Sequence, residues 1–549
     1  MTDVLKTYLA DLSKITNRGD ATEQSYYSTL KDLFEKVAKQ QKRKIDITTL
    51  PKRTEAGNPD FRVWDGKHKH VGYIEAKIPE ENLDRIERSE QLVRYRSTFP
   101  NVLLTNFYEF RLYRDGGLVN NVQIGRPFVA KKLGAIAPLE NAEKFIGLLT
   151  QFFDFSVPSL TNAKSLALEL AKRTRFLRDQ VIREELKPEA ETKDLLGFYE
   201  AFRKHLIASL SEEDFADLYA QTITYGLFIA RHRFDTTPNL FDRGIPKKIF
   251  TRELAYELIP PTLGILQDVF HFLSSSKPPK QLQVIIEDIA EVLASADLKK
   301  IEEEFFHAKR GRDPIVHFYE TFLAHYDPAK REQRGVYYTP EPVVNYIVRS
   351  LHHTLKEEFG KSDGFASQGV TVLDPAAGTQ TFPATAMYLA AEEYTEKYGK
   401  GGLDQLIRDH ILKDFYAFEL MMAPYAIGHL KIAYVLEELG VRMGEDERFK
   451  LYLTNTLEWD DLTQTQIPHL SSLSEESKKA SEVKKDVPIM VIMGNPPYSG
   501  ISENKGKWIT ALIEDYKQVA GKHFGERKHW LQDDYVKFLR FAQWKIAQA

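Results

Sequence analysis

Three groups of residues in this 549-residue chain have the types and spacing for chemistry. Near the N-terminus, Asp60 follows Pro59 and opens the strand-like run Phe61-Arg62-Val63-Trp64; after a turn at Asp65-Gly66, His70 to Lys77 (HVGYIEAK) reads as its hairpin partner. Such a hairpin sets Asp60 and Glu75 on adjoining strands, and side-chain alternation puts Glu75 and Lys77 on one face. Two carboxylates and an ammonium gathered in this way suit phosphodiester hydrolysis. The carboxylates hold Mg²⁺, which activates water and neutralises charge on the phosphate, while the ammonium positions the nucleophile or stabilises developing charge.

The second group starts at Gly369 to Leu373, a buried strand by its apolar content, which ends in Asp374 to Phe382 (DPAAGTQTF) before a helix. A tight small-residue turn between strand and helix exposes backbone amides to a cofactor. Asp414 to Glu419 repeats the pattern with Glu419 at the strand tip, a carboxylate placed to grip ribose hydroxyls. The third group is Val487 to Tyr498 (VPIMVIMGNPPY), an apolar run broken by Gly494, Asn495, Pro496, Pro497 and Tyr498. It reads as a buried strand and a rigid turn, with Asn495 and Tyr498 at the carboxyl end, where open α/β sheets bind their ligands.

The elements that must position these groups follow from periodicity. A helix starts at Thr22 to Ser25 and keeps Tyr26, Leu30, Leu33, Phe34 and Val37 on one face. A basic run from Lys36 to Arg53 reads as a solvated face unless the hairpin beside it gives it a role. A helix carrying Gln91 and two apolar strands, Val102 to Thr105 and Phe107 to Tyr113, come after the hairpin. From about Pro158 to Pro328 the apolar spacing is helical throughout and no catalytic group stands out. Leu451 to Thr456 gives another strand, and Asp533 to Ile546 an amphipathic helix with Tyr535, Phe538, Leu539, Ala542 and Ile546 on its apolar face. The string Gly360-Lys361-Ser362 lacks the first glycine of a phosphate-binding loop, so ATP-driven motion has no support here.

The N-terminal pattern resembles the PD-(D/E)xK nucleases, in particular the Mrr-like and Type I restriction branches. Pro59, Asp60, Glu75, Ala76 and Lys77 match the motif. The resemblance implies that Glu23 completes a metal site with Asp60 and Glu75, and that Gln91 and Tyr95 form the accessory Q-x-x-x-Y.

From Arg334 to Tyr498 the chain resembles the gamma-type N6-adenine DNA methyltransferases of Type I modification subunits and of fused Type IIG and Type ISP restriction-modification enzymes. Tyr338, Thr339 and Pro340 match the segment preceding the cofactor turn; Asp374, Pro375, Ala376 and Gly378 match the turn itself. Glu419 matches the ribose-binding acid, and Asn495-Pro496-Pro497-Tyr498 the catalytic signature. The implied cofactor is S-adenosylmethionine. The implied mechanism extrudes an adenine, stacks it on Tyr498, and lets Asn495 and the Pro496 carbonyl accept hydrogen bonds from its amine. Two departures stand out. Gln380 replaces a second glycine and is expected to crowd the cofactor turn, and Asn455 stands where an aspartate commonly contacts the cofactor's adenine.

Bulk composition limits the alternatives. A formal net charge of -4 gives no global field for a nucleic acid, so local patches must attract one. With no cysteine, disulfides, thiolate metal sites and cysteine nucleophiles are excluded. No signal peptide or membrane span is legible, and a cytoplasmic setting fits.

The expected architecture is α/β multidomain: a PD-(D/E)xK nuclease fold over 1–155, an all-helical connector over 156–328, and a partial Rossmann-like methyltransferase sheet over 329–549 that lacks further strands and a target-recognition domain. The expected function is restriction-modification, and so phage defence: methylation of adenine N6 in double-stranded DNA, with Mg²⁺-dependent cleavage in the same chain. Two other readings stand beside it. One is a methyltransferase whose N-terminal domain binds DNA without cutting; the other is an assembly subunit awaiting a separate specificity chain or the missing C-terminal half.

Overall fold

The computed structural model of the chain describes residues 2–49, 59–65, 70–155, 160–187, 190, 193–207, 210–236, 250–259, 263–275, 279–301, 314–327, 339–444, 447–459, 471–498, 502, 504–523, 525 and 529–548. The protein is mixed α/β and forms two compact units. One comprises Met1–Thr161, Lys172–Glu184 and Pro278–Asp297; the other comprises Asn162–Ala171, Glu185–Lys277 and Leu298–Ala549. The helical stretch between 156 and 328 is divided between them. Among the described residues no helix is long and apolar enough to cross a membrane.

The first unit is built on a six-stranded sheet: β1 (Asp46–Thr49), β2 (Phe61–Trp64), β3 (His70–Ala76), β4 (Asn101–Thr105), β5 (Glu109–Arg114) and β6 (Gly117–Gln123), adjacent in chain order. All pairs are antiparallel except β3 and β4. That parallel pair needs a crossover, which includes helix α3 (Glu90–Thr98), started by Ser89 Oγ accepting Leu92 N–H at 3.3 Å. Helices α1 (Thr2–Thr16), α2 (Tyr27–Gln40) and α4 (Ala142–Phe153) bury Leu9, Phe34 and Phe152 with Phe61, Val63, Ile74 and Phe110 of the strands in one core. On the other face, Arg62 pairs across the ladder with Tyr73. Its buried guanidinium also bonds Glu287 of α5 (Lys280–Ser295) at 2.7 Å.

Gly72 lets these layers close. Asn101 Nδ2 donates to Val71 O at 2.7 Å and to Phe152 O at 3.0 Å, drawing β3, β4 and α4 together over the glycine.

The second unit carries a four-stranded parallel sheet of β7 (Val372–Asp374), β8 (Phe415–Glu419), β9 (Lys450–Leu453) and β10 (Val491–Ile492), in the order β10-β7-β8-β9. Helix α6 (Glu341–Glu357) precedes it. The crossovers run through α7 (Thr381–Tyr398), α8 (Met422–Glu438) and α9 (Ser471–Asp486). Every residue of β7 and β8 is buried, as expected of strands covered on both faces. The chain steps outward from β7 to β9 and then returns to place β10 on β7's other side, which makes the β7/β10 gap a topological switch point.

Helix α10 (Asp534–Ile546) corrects the sequence expectation. Its buried residues are Asp534, Lys537, Phe541 and Lys545, while Leu539 and Ile546 are exposed. The lysines go inside because backbone groups receive them: Lys545 Nζ donates to Lys484 O at 2.7 Å and Lys537 Nζ to Asn504 O at 2.5 Å. A buried ammonium with acceptors is tolerated where an unpaired one is not, although burial still pulls both lysines below their ordinary range.

The tight packing over Gly72 yields a test. A Cβ there would sit 2.6 Å from Asn101 O and 2.7 Å from Phe152 Cε2. Gly72→Ala should therefore destabilise the first unit by about 1–3 kcal/mol, read as a lowered transition for that unit in scanning calorimetry.

Candidate active site

At the switch point the carboxyl ends of β7 and β10 touch. Gly494 lies so close to Asp374 that a Cβ on it would fall 2.5 Å from Asp374 Oδ1. The segment Asn495-Pro496-Pro497-Tyr498 therefore leaves β10 beside the turn Asp374 to Gly378. Asn495 and Pro496 are half-buried and the Tyr498 ring is exposed.

The turn is bound to the next strand. Glu419, at the tip of β8, accepts Gly378 N–H on Oε2 at 2.8 Å and Met421 N–H on Oε1 at 2.7 Å, while Ala377 N–H donates to Phe418 O at 2.9 Å. Burial raises Glu419 above the usual carboxylate range, opposed by these amides. Asp374 is affected more strongly. Its Oδ1 accepts Ala376 N–H at 3.1 Å, and its Oδ2 is buried with no hydrogen-bond partner. Burial pushes its pKa up to about 8; the Ala376 amide opposes the shift and the Glu419 carboxyl adds to it.

Asn455, just past β9, is 8% exposed and engaged at both ends of its amide: Nδ2 donates to Asn504 Oδ1 at 2.8 Å and Oδ1 accepts Leu457 N–H at 3.1 Å. Thr339 and Pro340 stand at the start of α6, and Tyr338 lies outside the described residues. Gln380 adopts a left-handed backbone (φ +66°) as the residue capping α7. Its side chain packs against Gly428 of α8, where a Cβ would meet Gln380 Cγ at 2.8 Å, and its amide is buried without a partner. A Cβ on Gly378 would meet nothing within 4 Å, so the turn is open at that position.

In the first unit, Asp60 and Glu75 lie one step beyond the Phe61/Ile74 register pair and are each 1% exposed. Asp60 Oδ2 accepts Ala76 N–H at 2.7 Å, and Lys77 Nζ donates to Glu75 Oε1 at 2.6 Å. Gln91 Nε2 donates to the Tyr95 hydroxyl at 3.0 Å. Burial and then the nearby Glu75 carboxylate hold that hydroxyl well above its ordinary range.

Glu23 reaches Asp60 through an intermediary. The Tyr27 hydroxyl lies between them, 2.8 Å from Glu23 Oε1 and in hydrogen-bond contact with Asp60 Oδ1. Burial and the two acids raise Tyr27 far above the tyrosine range. Among the described residues no group of three or more His, Cys, Asp or Glu is arranged to hold a metal, so Glu23 is not gathered with Asp60 and Glu75 as a third ligand. The two adjoining carboxylates remain suited to Mg²⁺, which binds through one or two carboxylates and keeps several waters.

Residues 310–520 match the N-6 DNA Methylase family. The chain carries an N-6 DNA methylase domain.

In fold, the chain is similar to a nuclease-deletion mutant of the Type ISP restriction-modification enzyme LlaGI in complex with a DNA substrate mimic, at TM-score 0.50 and 20% identity over 74% of this chain and 30% of that one. It is also similar to the ATP-dependent Type ISP restriction-modification enzyme LlaBIII bound to DNA, at TM-score 0.51 and 22% identity over 74% and 25%. The DrdV–DNA complex aligns with 100% of this chain and 49% of its own, at TM-score 0.45 and 22% identity. The chain thus spans between a quarter and a half of these solved chains. No curated protein matches it.

The methylase family implies S-adenosylmethionine, and the site fits it. The buried, unpartnered Asp374 Oδ2 offers an acceptor to a cationic or donating ligand, and each Glu419 oxygen keeps a lone pair beyond its amide bond.

Sequence reasoning missed Tyr27, Asn504 and Tyr535, the last of which stacks on Tyr498. Tyr27 was legible in principle, because it lies four residues from Glu23 and helical spacing brings such a pair together.

The raised pKa of Asp374 gives a signed prediction for the methylase domain. A carboxyl that titrates at 3.8 when exposed and near 8 when folded stabilises fully below about 4, and that stability is lost as pH rises toward 8. Asp374→Asn keeps the acceptor for Ala376 without the charge. In thermal melts without ligand, the variant's advantage over wild type should open above about pH 4 and stop widening near pH 8.

Proposed function

We propose that the methylase domain transfers the methyl group of S-adenosylmethionine to N6 of adenine in double-stranded DNA, and that the first unit cuts DNA with Mg²⁺, as in fused restriction-modification proteins. The observation that carries the methyl-transfer reading is the emergence of Asn495 to Tyr498 at the switch point, against Asp374 and one strand from Glu419.

S-adenosylmethionine supplies an electrophilic methyl group when bound, and Thr339, Pro340, Asp374 to Gly378, Glu419 and Asn455 are the residues that would hold it. An adenine within a duplex cannot reach the end of a parallel sheet, so it is extruded, and the exposed Tyr498 ring offers it a stacking surface. Asn495 Oδ1 and the Pro496 carbonyl accept the two hydrogens of its amine, which directs the nitrogen lone pair out of the ring plane. Positioning and fixed dipoles do this without a side chain of tuned basicity. A separate specificity chain that reads base edges in the groove is a further expected partner.

Cleavage rests on the adjacency of Asp60 and Glu75 and on the Lys77 ion pair. Asp60 and Glu75 would hold Mg²⁺, and Lys77 stands beside them to steady charge on a phosphate. One observation favours a second reading, in which this unit binds DNA without cutting: Glu23 accepts a hydrogen bond from the Tyr27 hydroxyl, and among the described residues no group of three or more acids or histidines is arranged to hold a metal.

Tritiated-methyl incorporation into DNA should fall at least roughly a hundred-fold in Asn495→Ala, with S-adenosylmethionine binding retained in calorimetry. Incorporation at the wild-type rate would remove Asn495 from the mechanism. Asp60→Ala, Glu75→Ala and Lys77→Ala should each abolish Mg²⁺-dependent plasmid cleavage and leave methylation intact; wild-type protein that methylates but never cuts favours the non-cleaving reading.

A further inference from the structure

Tyr498 is 54% exposed, yet one face of its ring is occupied. Tyr535, in the first turn of α10, stacks on it with ring centroids 5.0 Å apart and planes 16° from parallel. Offset parallel stacking is a favoured arrangement of two aromatic rings. The other contact at the ring tip is weak, since the Tyr498 hydroxyl lies 3.5 Å from Asn495 Oδ1, at the outer limit of a hydrogen bond. Of these two contacts, both among the described residues, the stack is the one that fixes the plane of the ring.

Tyr535 is itself held from several sides. Asp533 Oδ1 accepts its backbone N–H at 2.9 Å and caps the helix. The buried Asp534 accepts from Ser502 Oγ and from Asn504 Nδ2, the latter at 3.0 Å. Lys537, one turn on, donates to Ser502 Oγ at 2.6 Å and to the Asn504 carbonyl. Asn504 Oδ1 in turn receives Asn455 Nδ2 at 2.8 Å. These bonds tie the start of α10 to the carboxyl end of β9, so Tyr535 is mounted on the same sheet edge from which Asn495 emerges. Phe541 anchors the middle of α10 in the apolar core, while at its start the buried Asp534 and Lys537 are held by these polar bonds.

We propose that Tyr535 is a positioning residue for methyl transfer: by covering one face of Tyr498 it fixes the ring plane and leaves the opposite face as the seat for the extruded adenine. This role rests on the methyl-transfer reading above. Tyr535 acts through Tyr498 and does not touch the reacting atoms. What it contributes is the ring contact, so phenylalanine suffices at this position and an aliphatic residue does not.

The test uses the intact 549-residue chain. Sequencing of methylated plasmid DNA locates the modified adenine, and 2-aminopurine then replaces it in a duplex. Y535F should match wild type. Y535L should lower kcat roughly three- to ten-fold, the range an aromatic pair commands, with S-adenosylmethionine affinity unchanged in calorimetry. In Y535L the extruded 2-aminopurine should also fluoresce more brightly than in wild type, because its stacking on Tyr498 is loosened. Equal kcat and equal quenching in Y535L and wild type would overturn the role. So would faster turnover with deeper quenching, which would mean that Tyr535 occupies the base's own place, or loss of S-adenosylmethionine binding in Y535L, which would mean a general structural role. Wild-type protein that methylates no DNA would sink the methyl-transfer reading, whereas wild-type methylation equalled by Y535L sinks this role alone.

Discussion

The close approach of Gly494 to Asp374 is the constraint on which the second unit depends. Its Cα allows the strand after the switch to run against a carboxylate that any larger residue would displace, since a Cβ would also stand 3.2 Å from Asp374 Cγ and 3.5 Å from Pro375 Cδ. Two consequences follow from the same contact. It sets the Asn-Pro-Pro-Tyr turn at the carboxyl edge of the sheet, and it packs against Asp374, whose pKa burial raises to about 8.

The two units use similar residues under opposite electrostatics. In the first, Glu75 has an ammonium at hydrogen-bond distance and Asp60 has an amide and a phenol, so charge is compensated where it sits. In the second, Asp374 faces another buried carboxyl, with only backbone amides in opposition. Burial without a counter-charge leaves the Asp374 site with a preference for a ligand that brings positive charge or donors.

Much of this was legible in the sequence, because the informative segments are buried. The hairpin of β2 and β3 followed from alternation and turn residues, and the parallel strands from short apolar runs with Gly or Pro at their ends. Edge elements were not legible. β1 (Asp-Ile-Thr-Thr) and β6 (Gly-Leu-Val-Asn-Asn-Val-Gln) each lie at one end of the first sheet with mostly exposed side chains, and a strand held by backbone bonds on one side leaves little hydrophobic trace. The inward lysines of α10 were hidden for a related reason: carbonyls received them, and carbonyls carry no sequence identity. At Gln380 the departure from glycine was visible but its consequence was not. The side chain turns to Gly428, and the cost is a left-handed backbone together with a buried amide that lacks partners, about 1–3 kcal/mol for an unsatisfied group.

Glu419 does more than present a carboxylate. Its two oxygens hold Gly378 and Met421, and Ala377 holds Phe418, so three hydrogen bonds join the turn after β7 to the turn after β8. A ligand entering there orders little backbone that was not already ordered, so the conformational entropy of binding is largely settled at folding. Affinity for a ligand at such a seat depends on shape and charge match rather than on closure.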